Sequence, residues 1–294
     1  MKNCFCLLKN NLKYLAQNAL KIAFGISTVA SIYEIAIGKI IDNKTNIYIV
    51  LGILVLIFVI LYLLSFIGSF IWIVCKKSKV IFATDKHSVS IHFGDLLNNN
   101  IVNDKSKIKN IIINVNRCFD TIVNNELISN QTLHGQIFKN LYSERKYDET
   151  SLQKCINNSL KEQEYELLQQ KDKPQGNLKR YSVGTIVKIE DTDTRSYFLL
   201  GMSSFDKNLN AHTSKEDFIL SIQRLIEYCD KNSQGNAVLL PLLGSSLSRT
   251  GINSYTDNLK YIIAALRINK EIINCDFRIF IKPDDKHKIN FGDL

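Results

Sequence analysis

Residues 108–116 read IKNIIINVN, and this stretch decides the fold class. Its apolar run is continuous rather than alternating, so both faces of the predicted strand Ile108–Val115 must be covered. The run VLLPLL at 238–243 has the same property within the predicted strand Ala237–Leu242. Strands that are apolar on both faces are typical of a sheet covered by helices. The sequence therefore predicts a three-layer α/β/α domain.

Short β-rich runs alternate with helical runs on both sides of these two strands, from residue 80 to residue 294. The other predicted strands are Val80–Thr84, Ser88–Phe93, Gly184–Ile189, Tyr197–Met202 and Phe277–Ile281. The predicted helices are His134–Tyr142, Ser151–Gln170, Ser214–Lys231 and Tyr255–Asn269. Residues 170–180, which are rich in Gln, Lys and Gly, are expected to form an exposed insertion or loop.

Residues 1–79 are predicted to form a membrane anchor with two transmembrane helices, at about 14–38 and 47–75. The second stretch has no charged residue, and about 20 apolar residues suffice to cross a bilayer. The first stretch contains Lys21 and Glu34. Glu34 lies either at a helix–helix contact or, solvated, at the far interface. One face of the first helix carries small side chains along which helices pack closely in lipid: Ala19, Ala23, Ser27 and Ser31.

Most of the chain's formal net charge of +9 lies beside this apolar part. Residues 1–79 hold nine Lys, no Arg and two acidic residues, whereas the remainder is nearly balanced. This distribution argues against a nucleic-acid-binding surface. The lysines flank the outer ends of both predicted helices, so the positive-inside rule places both termini and the α/β domain in the cytoplasm. Five scattered His residues have no metal-ligand spacing, and no metal site is predicted.

Polar residues follow several of the predicted strands, where ligands bind in α/β folds. Gly94-Asp95 closes the second strand, and Asn116 closes the third. A Gly/Ser loop follows the strand Ala237–Leu242 and leads into a helix, so its backbone N–H groups could hold a phosphate. Further polar and aromatic candidates follow the third strand or open the next helix: Phe119, Asp120, Thr121, His134 and Gly135.

In their order and placement, the runs IHFGDLL, IIINVN with FDT, LHGQ and PLLGSSLSR resemble a macro domain, an ADP-ribose-binding α/β fold with a mixed sheet. More narrowly, the chain is similar to the membrane-anchored, macro-like effector of type II Thoeris antiphage defence. The resemblance extends over essentially the whole chain and implies the domains 1–79 (anchor) and 80–294 (nucleotide binding). It departs from the usual macro pattern at Ser246, where a second glycine is common.

The resemblance implies which residues contact the ligand. Asp95 would contact adenine, and Asn116 would lie near the distal ribose. The loop after the late strand would wrap the diphosphate through Gly244, Ser245, Ser246, Leu247, Ser248 and Arg249. The stretch from Phe119 to Thr121, with His134 and Gly135, would replace the usual glycine-rich loop after the asparagine.

The resemblance also implies a receptor and not an enzyme. A TIR-domain partner, acting through its signal alone, would make an ADP-ribose derivative such as histidine–ADP-ribose. Binding of this ligand would cause homo-oligomerisation, disruption of the bacterial inner membrane and abortive infection, with no cofactor. The alternative is a membrane-tethered ADP-ribosyl hydrolase, for which Asp120 and His134 are the candidate acid and base.

Overall fold

The computed structural model describes residues 2–37, 47–97, 100–105, 107–144, 146–244 and 254–294. The chain divides into two compact units. The helical unit comprises Met1–Lys77 and Lys286–Leu294, and the sheet unit comprises Ser78–Asp285. The C-terminal segment therefore packs with the helices and not with the sheet.

The helical unit is built on two long helices, α1 (Lys2–Ile37) and α2 (Ile47–Cys75). Asn18 of α1 donates from its amide to the hydroxyl of Ser69 in α2, at 3.0 Å. The ring centroids of Phe24 and Phe58 lie 5.1 Å apart. Later residues of α1 thus meet earlier residues of α2, which means that the helices are antiparallel.

The small-residue face of α1 is buried against other parts of the helical unit. Ala19 and Ala23 are fully buried, and Leu15 on the same face is buried with them. The sequence suggested this face as a surface for association in lipid, but the structure packs its described part inside the helical unit. A small side chain is needed at these positions because the two helices approach closely. The side chains of Ser31 and Glu34 lie outside the described residues, as do Gly38, the last residue of the first predicted span, and residues 42–46, for which the sequence predicts a short turn between the two spans.

Of the two predicted transmembrane helices, the structure supports one. Among the described residues, only Gly52–Cys75 is long and apolar enough to cross a membrane, with a mean hydropathy of 2.8. Only 6% of its most apolar stretch is buried within the protein. The first predicted span is helical, but Gln17, Asn18 and Lys21 lower its hydropathy, so the expectation of two such helices is not met.

The sheet unit contains a mixed sheet, as predicted. Its strands, in chain order, are β1 (Ser78–Ala83), β2 (Ser88–Phe93), β3 (Lys109–Asn116), β4 (Tyr165–Leu167), β5 (Lys179–Tyr181), β6 (Thr185–Thr192), β7 (Arg195–Phe205), β8 (Ala211–His212), β9 (Ala237–Pro241) and β10 (Phe277–Ile281). The strand order is β1-β2-β10-β9-β3-β7-β6, and β8 pairs with β7. Strands β2, β10, β9, β3 and β7 are parallel, whereas β1, β6 and β8 are antiparallel to their neighbours. Strands β4 and β5 form a separate hairpin.

Helices cover both faces of the sheet. The helices are α3 (Asn100–Asn103), α4 (Leu133–Ser143), α5 (Glu149–Ser159), α6 (Lys215–Asn232) and α7 (Tyr255–Ile268), followed by 3₁₀ helices at Pro283–Lys288 and Phe291–Asp293. Ile113 of β3 and Leu199 of β7 pack in one core with Phe138 of α4. Phe198 points to the other face, where its ring lies 5.2 Å from that of Tyr228 in α6. The three-layer architecture predicted from the sequence is confirmed.

The main departure from the predicted elements lies between residues 149 and 181. Helix α5 ends at Ser159, whereas the sequence predicted a helix to Gln170. The chain then forms the hairpin of β4 and β5, and the loop 168–178 lies between these strands. This loop includes most of the stretch expected to be exposed. It contains a fully buried lysine, Lys173.

Candidate ligand-binding site

The candidate site lies at the edge of the sheet where the parallel strands end. Asp95 follows β2, and Gly244 follows β9. Strand β10 lies between β2 and β9, and it accepts hydrogen bonds from the residues that follow each of these strands. The N–H of Gly94 donates to the carbonyl of Ile281, and that of Leu242 to the carbonyl of Phe280, each at 2.9 Å. The sheet topology therefore places Asp95 and Gly244 on either side of the end of β10.

Asp95 and Gly244 each shape a turn. The Asp95 carboxylate accepts from the N–H of Leu97 at 3.0 Å, and Asp95 is half-buried. Gly244 has φ +76°, a left-handed conformation that glycine adopts without strain. The rest of the predicted phosphate loop lies outside the described residues: Ser245, Ser246, Leu247, Ser248 and Arg249.

Asn116 ends β3 and fixes the next turn. It is 5% exposed, and its side-chain oxygen accepts from the N–H of Cys118 at 3.0 Å. The following Phe119 has φ +52°, which is uncommon for a side chain of this size. Phe119 is 1% exposed, and its ring lies edge-on to Tyr181 with centroids 5.8 Å apart. It also packs on Gly201, where an added Cβ would lie 3.0 Å from the ring. In this structure Phe119 is a core side chain.

Asp120 is held in a buried ion pair with Lys173. The Nζ of Lys173 lies 2.9 Å from Oδ2 and 3.1 Å from Oδ1 of Asp120, and both side chains are 1% exposed. The same Nζ donates to the carbonyls of Gln175 and Asn177, at 2.6 and 3.0 Å. Burial raises the pKa of Asp120 above its ordinary value, and Lys173 acts against this shift. The carboxylate is thus committed to an internal partner.

The loop 168–178 is fitted closely to Asp120. The backbone N–H of Asn177 donates to Oδ1 of Asp120 at 2.6 Å. The side-chain amide of Asn177 donates to the carbonyls of Cys118 and Phe119, at 3.1 Å each. Gly176 has φ +79°, and an added Cβ would lie 2.2 Å from Oδ1 of Asp120. Only glycine fits at this position. The loop therefore covers the segment that follows β3.

A polar cavity of about 520 Å³ lies beside this ion pair. Its lining includes Asp120, Thr121, Glu149, Gln153, Lys154 and Asn177. Thr121 is 2% exposed, and its hydroxyl donates to Oε1 of Gln153 at 3.0 Å. With Glu149 and Lys154, the cavity offers charges of both signs, which suits a polar group more than an apolar one.

His134 and Gly135 open α4 and are both buried. Burial lowers the pKa of His134 from 6.5 to about 3, and its ring lies 4.3 Å from that of Phe138. The imidazole is therefore neutral at physiological pH. An added Cβ on Gly135 would lie 2.2 Å from the carbonyl oxygen of Ser129. Gly135 thus lets the first turn of α4 approach the preceding loop. The hydroxyl of Thr132 accepts a hydrogen bond from the N–H of Gly135 and so caps the helix.

Comparison with known proteins identifies the family. The model of the family described as "Thoeris protein ThsA, Macro domain" matches residues 89–282, which is about two thirds of the chain. This chain belongs to the ThsA macro-domain family. It is also 27% identical over 193 residues to the Thoeris protein ThsA of Bacillus amyloliquefaciens (strain Y2). That match covers 62% of this chain and 60% of the relative, so the chain spans less than two thirds of the relative's length.

Solved macrodomain structures also match the ThsA macro domain. A structure described as the Oceanobacillus iheyensis macrodomain with ADP is 10% identical and covers 74% of this chain and 94% of that one, with a TM-score of 0.44. A mutant of the same macrodomain is 12% identical and covers 72% and 94%, with a TM-score of 0.42.

The structure places residues around Asp120 that the sequence did not single out. Lys173, Gly176 and Asn177 follow β3 by more than fifty positions, yet they surround Asp120. The Pro-Gln-Gly sequence at 174–176 indicates a turn, but no local signal shows that the turn packs on Asp120. Among the described residues, no group of three His, Cys, Asp or Glu side chains could hold a metal ion.

The buried His134 predicts a pH dependence of stability. Because the folded-state pKa of His134 is about 3 and its ordinary value is 6.5, the folded chain disfavours this proton. Its contribution to stability is complete above about pH 6.5 and is lost as the pH falls toward 3. We expect the thermal midpoint to fall less steeply across this window in His134→Leu than in the wild type, measured by circular dichroism in detergent. Equal slopes would contradict a neutral, buried His134.

Proposed function

We propose that this ThsA macro-domain protein is a receptor in antiphage defence that binds an ADP-ribose derivative at the carboxyl edge of its parallel strands. The observation that carries the proposal is the arrangement of Asp95 and Gly244 on either side of the end of β10, with Asn116 ending β3. Ligands of open α/β sheets bind at such an edge. The adenine would lie at Asp95, the diphosphate at the loop beginning with Gly244, and the distal ribose near Asn116.

The contacts of Asp120 and His134 favour a receptor over an ADP-ribosyl hydrolase. A general acid or base must reach its proton and have a pKa near the working pH. The Asp120 carboxylate is paired with Lys173, and the pKa of His134 is about 3. Asp120 is engaged by Lys173 and His134 is buried and neutral, which supports structural roles for both side chains over acid–base chemistry.

The membrane part of the proposal rests on α2. Many of its apolar side chains are exposed, including Leu64, which is 61% exposed, and Val55, which is 63% exposed. Exposure of so much apolar surface to water is unfavourable over a helix of this length. We propose that α2 crosses the bacterial inner membrane. The signal would come from a TIR-domain protein, and ligand binding would cause homo-oligomerisation that disrupts the membrane and ends in abortive infection.

The adenine end of the proposed site gives a direct test. Asp95→Asn should weaken ADP-ribose binding by about tenfold or more, because a neutral amide is a weaker acceptor for the adenine amino group than a carboxylate. The new amide oxygen can still accept from Leu97, so the turn should persist. Binding of ribose 5-phosphate should be nearly unchanged. The measurement is calorimetry on the full chain in detergent.

The matched control is Asp85→Asn, which makes the same change at an exposed position between β1 and β2. It should leave both affinities unchanged. Equal losses for ADP-ribose and ribose 5-phosphate in Asp95→Asn would show that Asp95 holds the turn and does not contact adenine.

A further inference from the structure

The apolar helix α2 ends at an aromatic ring and a lysine that contact each other. The Nζ of Lys76 lies 3.6 Å from the centroid of the Trp72 ring, one turn earlier along the chain. Trp72 is 47% exposed, and it is the single tryptophan of the chain. This contact is a cation–π interaction. Its cation comes directly after Cys75, where the apolar stretch of α2 ends.

The C-terminal segment, Lys286–Leu294, brings a second lysine to the same place. The Nζ of Lys286 donates to the carbonyls of Val74 and Lys76, at 2.9 and 2.6 Å. The last carbonyls of a helix have no partner within the helix, and a cation there is favourable. Two lysines from distant parts of the sequence therefore meet at the end of α2, within the helical unit.

Asn11 of α1 fixes the segment that carries Lys286. Asn11 is 1% exposed, and its amide donates to the carbonyl of Ile289 at 3.0 Å. Its side-chain oxygen accepts from the N–H of Phe291 at 2.6 Å. Leaving such groups buried without a partner would be costly, so the segment is specifically docked. Lys286 is thus held at the end of α2 by contacts on both sides.

The charges of Lys76 and Lys286 oppose each other. Burial lowers the pKa of Lys286, and the positive charge of Lys76 lowers this pKa further. Burial also lowers the pKa of Lys76. In the part of the chain that the structure describes, Lys76 forms no ion pair with a carboxylate. An anion bound here would reduce the repulsion and favour the charged form of both lysines.

Apolar surface adjoins these cations along the last turns of α2. Ile71 and Val74 are both exposed, and Trp72 lies between them in the sequence. The end of α2 therefore presents apolar side chains, then an aromatic ring, then two cations. An anionic phospholipid has the same order of parts, from acyl chains through the glycerol esters to a charged phosphate. Tryptophan favours the depth at which acyl chains meet headgroups.

We propose that the end of α2 binds an anionic phospholipid, with its phosphate between Lys76 and Lys286 and its acyl chains along Ile71 and Val74. This inference rests on the proposed function, because it requires α2 to cross a bilayer, and it adds the lipid chemistry that the helical unit recognises. Anionic headgroups attract lysines at a membrane surface. A lipid fits better than a soluble phosphate, because a soluble anion would leave the adjoining apolar surface uncovered.

The test uses Trp72 as a reporter of its own site. The full chain is reconstituted in mixed vesicles of phosphatidylcholine and phosphatidylglycerol, in which one lipid or the other carries brominated acyl chains that quench a nearby indole. In the wild type, the affinity for phosphatidylglycerol at Trp72 should exceed that for phosphatidylcholine by at least about fivefold. In Lys76→Gln with Lys286→Gln, this ratio should fall to about one. Because the ratio compares two lipids on one variant, a change in the brightness of Trp72 cancels.

The matched control is Lys13→Gln, which removes an exposed lysine of α1. Lys13 lies two residues after the buried Asn11, so it points about 200° around α1 from the docked segment. The change therefore removes a charge near the same end of the helical unit without touching the proposed site. The lipid ratio should stay as in the wild type.

The outcomes separate the lipid site from the proposed function. A ratio of about one in the wild type, or an equal fall in Lys13→Gln, would overturn the lipid site. So would inorganic phosphate that lowers the ratio more than chloride of the same ionic strength, since this would indicate a site for soluble anions. If the double variant does not insert, Lys76→Gln alone should lower the ratio by at least about twofold. A wild type in which neither brominated lipid quenches Trp72 would contradict the crossing of the membrane by α2, and with it that part of the proposed function.

Discussion

Lys173→Met is expected to lower the free energy of unfolding by about 3–5 kcal/mol, because it leaves the Asp120 carboxylate buried without its cation. Lys173 is a partner of Asp120 and also donates to two carbonyls of the loop 168–178, so three acceptors lose their donor together. The measurement is urea unfolding of the full chain in detergent, followed by circular dichroism. An exposed lysine of the same loop provides the control: Lys171→Met should change stability little.

A second variant separates the charge from the packing. In Lys173→Met with Asp120→Asn, no carboxylate remains unpaired, so the combined loss should be smaller than the sum of the two single losses. Strictly additive losses would contradict the ion pair. Unchanged stability in Lys173→Met, with weaker ADP-ribose binding, would place Lys173 in the ligand site.

Phe119→Ala should lower the free energy of unfolding by about 3–5 kcal/mol, the usual cost of truncating a fully buried aromatic side chain. The ring fills space between Tyr181 and Gly201, and the left-handed backbone at this position would remain strained with alanine. Thermal or urea unfolding of the full chain measures the loss.

Ile122→Ala is the matched control for Phe119→Ala, because Ile122 is 41% exposed only three residues later. It should cost well under about 1 kcal/mol. Normal stability together with weaker ADP-ribose binding in Phe119→Ala would mean that the aromatic ring contacts the ligand, as the family resemblance implied.

The sheet was predictable because its strands carry local signals. The apolar runs around Ile111 and Leu239 indicated β3 and β9, and turns bounded the other long strands within a few residues. The helices α4, α6 and α7 were also placed to within about one residue, because their apolar periodicity and caps are local.

The region from residue 160 to 181 was not predictable from local signals. Residues 161–164 read KEQE, and these residue types favour a helix, so the sequence extended α5 past its end at Ser159. The competing structure is the hairpin in which Tyr165 pairs with Tyr181, sixteen residues later. Tertiary pairing of this kind overrides helix propensity, and a single sequence does not show it.

The position of the candidate site could be predicted from the sequence, but the contacts of several of its residues could not. The strand ends indicated where Asp95, Asn116 and Gly244 lie, because parallel strands end at one edge of the sheet. The roles of Asp120 and Lys173 depend on a loop more than fifty residues away along the chain. Likewise, α1 could be predicted as a helix, but the docking of Phe291 on Asn11 joins residues 280 positions apart.

We infer that the sheet edge binds an ADP-ribose derivative and does not consume it. The most direct measurement is an equilibrium titration of the full chain in detergent with ADP-ribose, followed by analysis of the recovered nucleotide and of an ADP-ribosylated peptide incubated with the same protein. We expect saturable binding of one nucleotide per chain, with the nucleotide intact and the peptide still modified. Absence of binding, or release of ADP-ribose from the peptide, would contradict this inference.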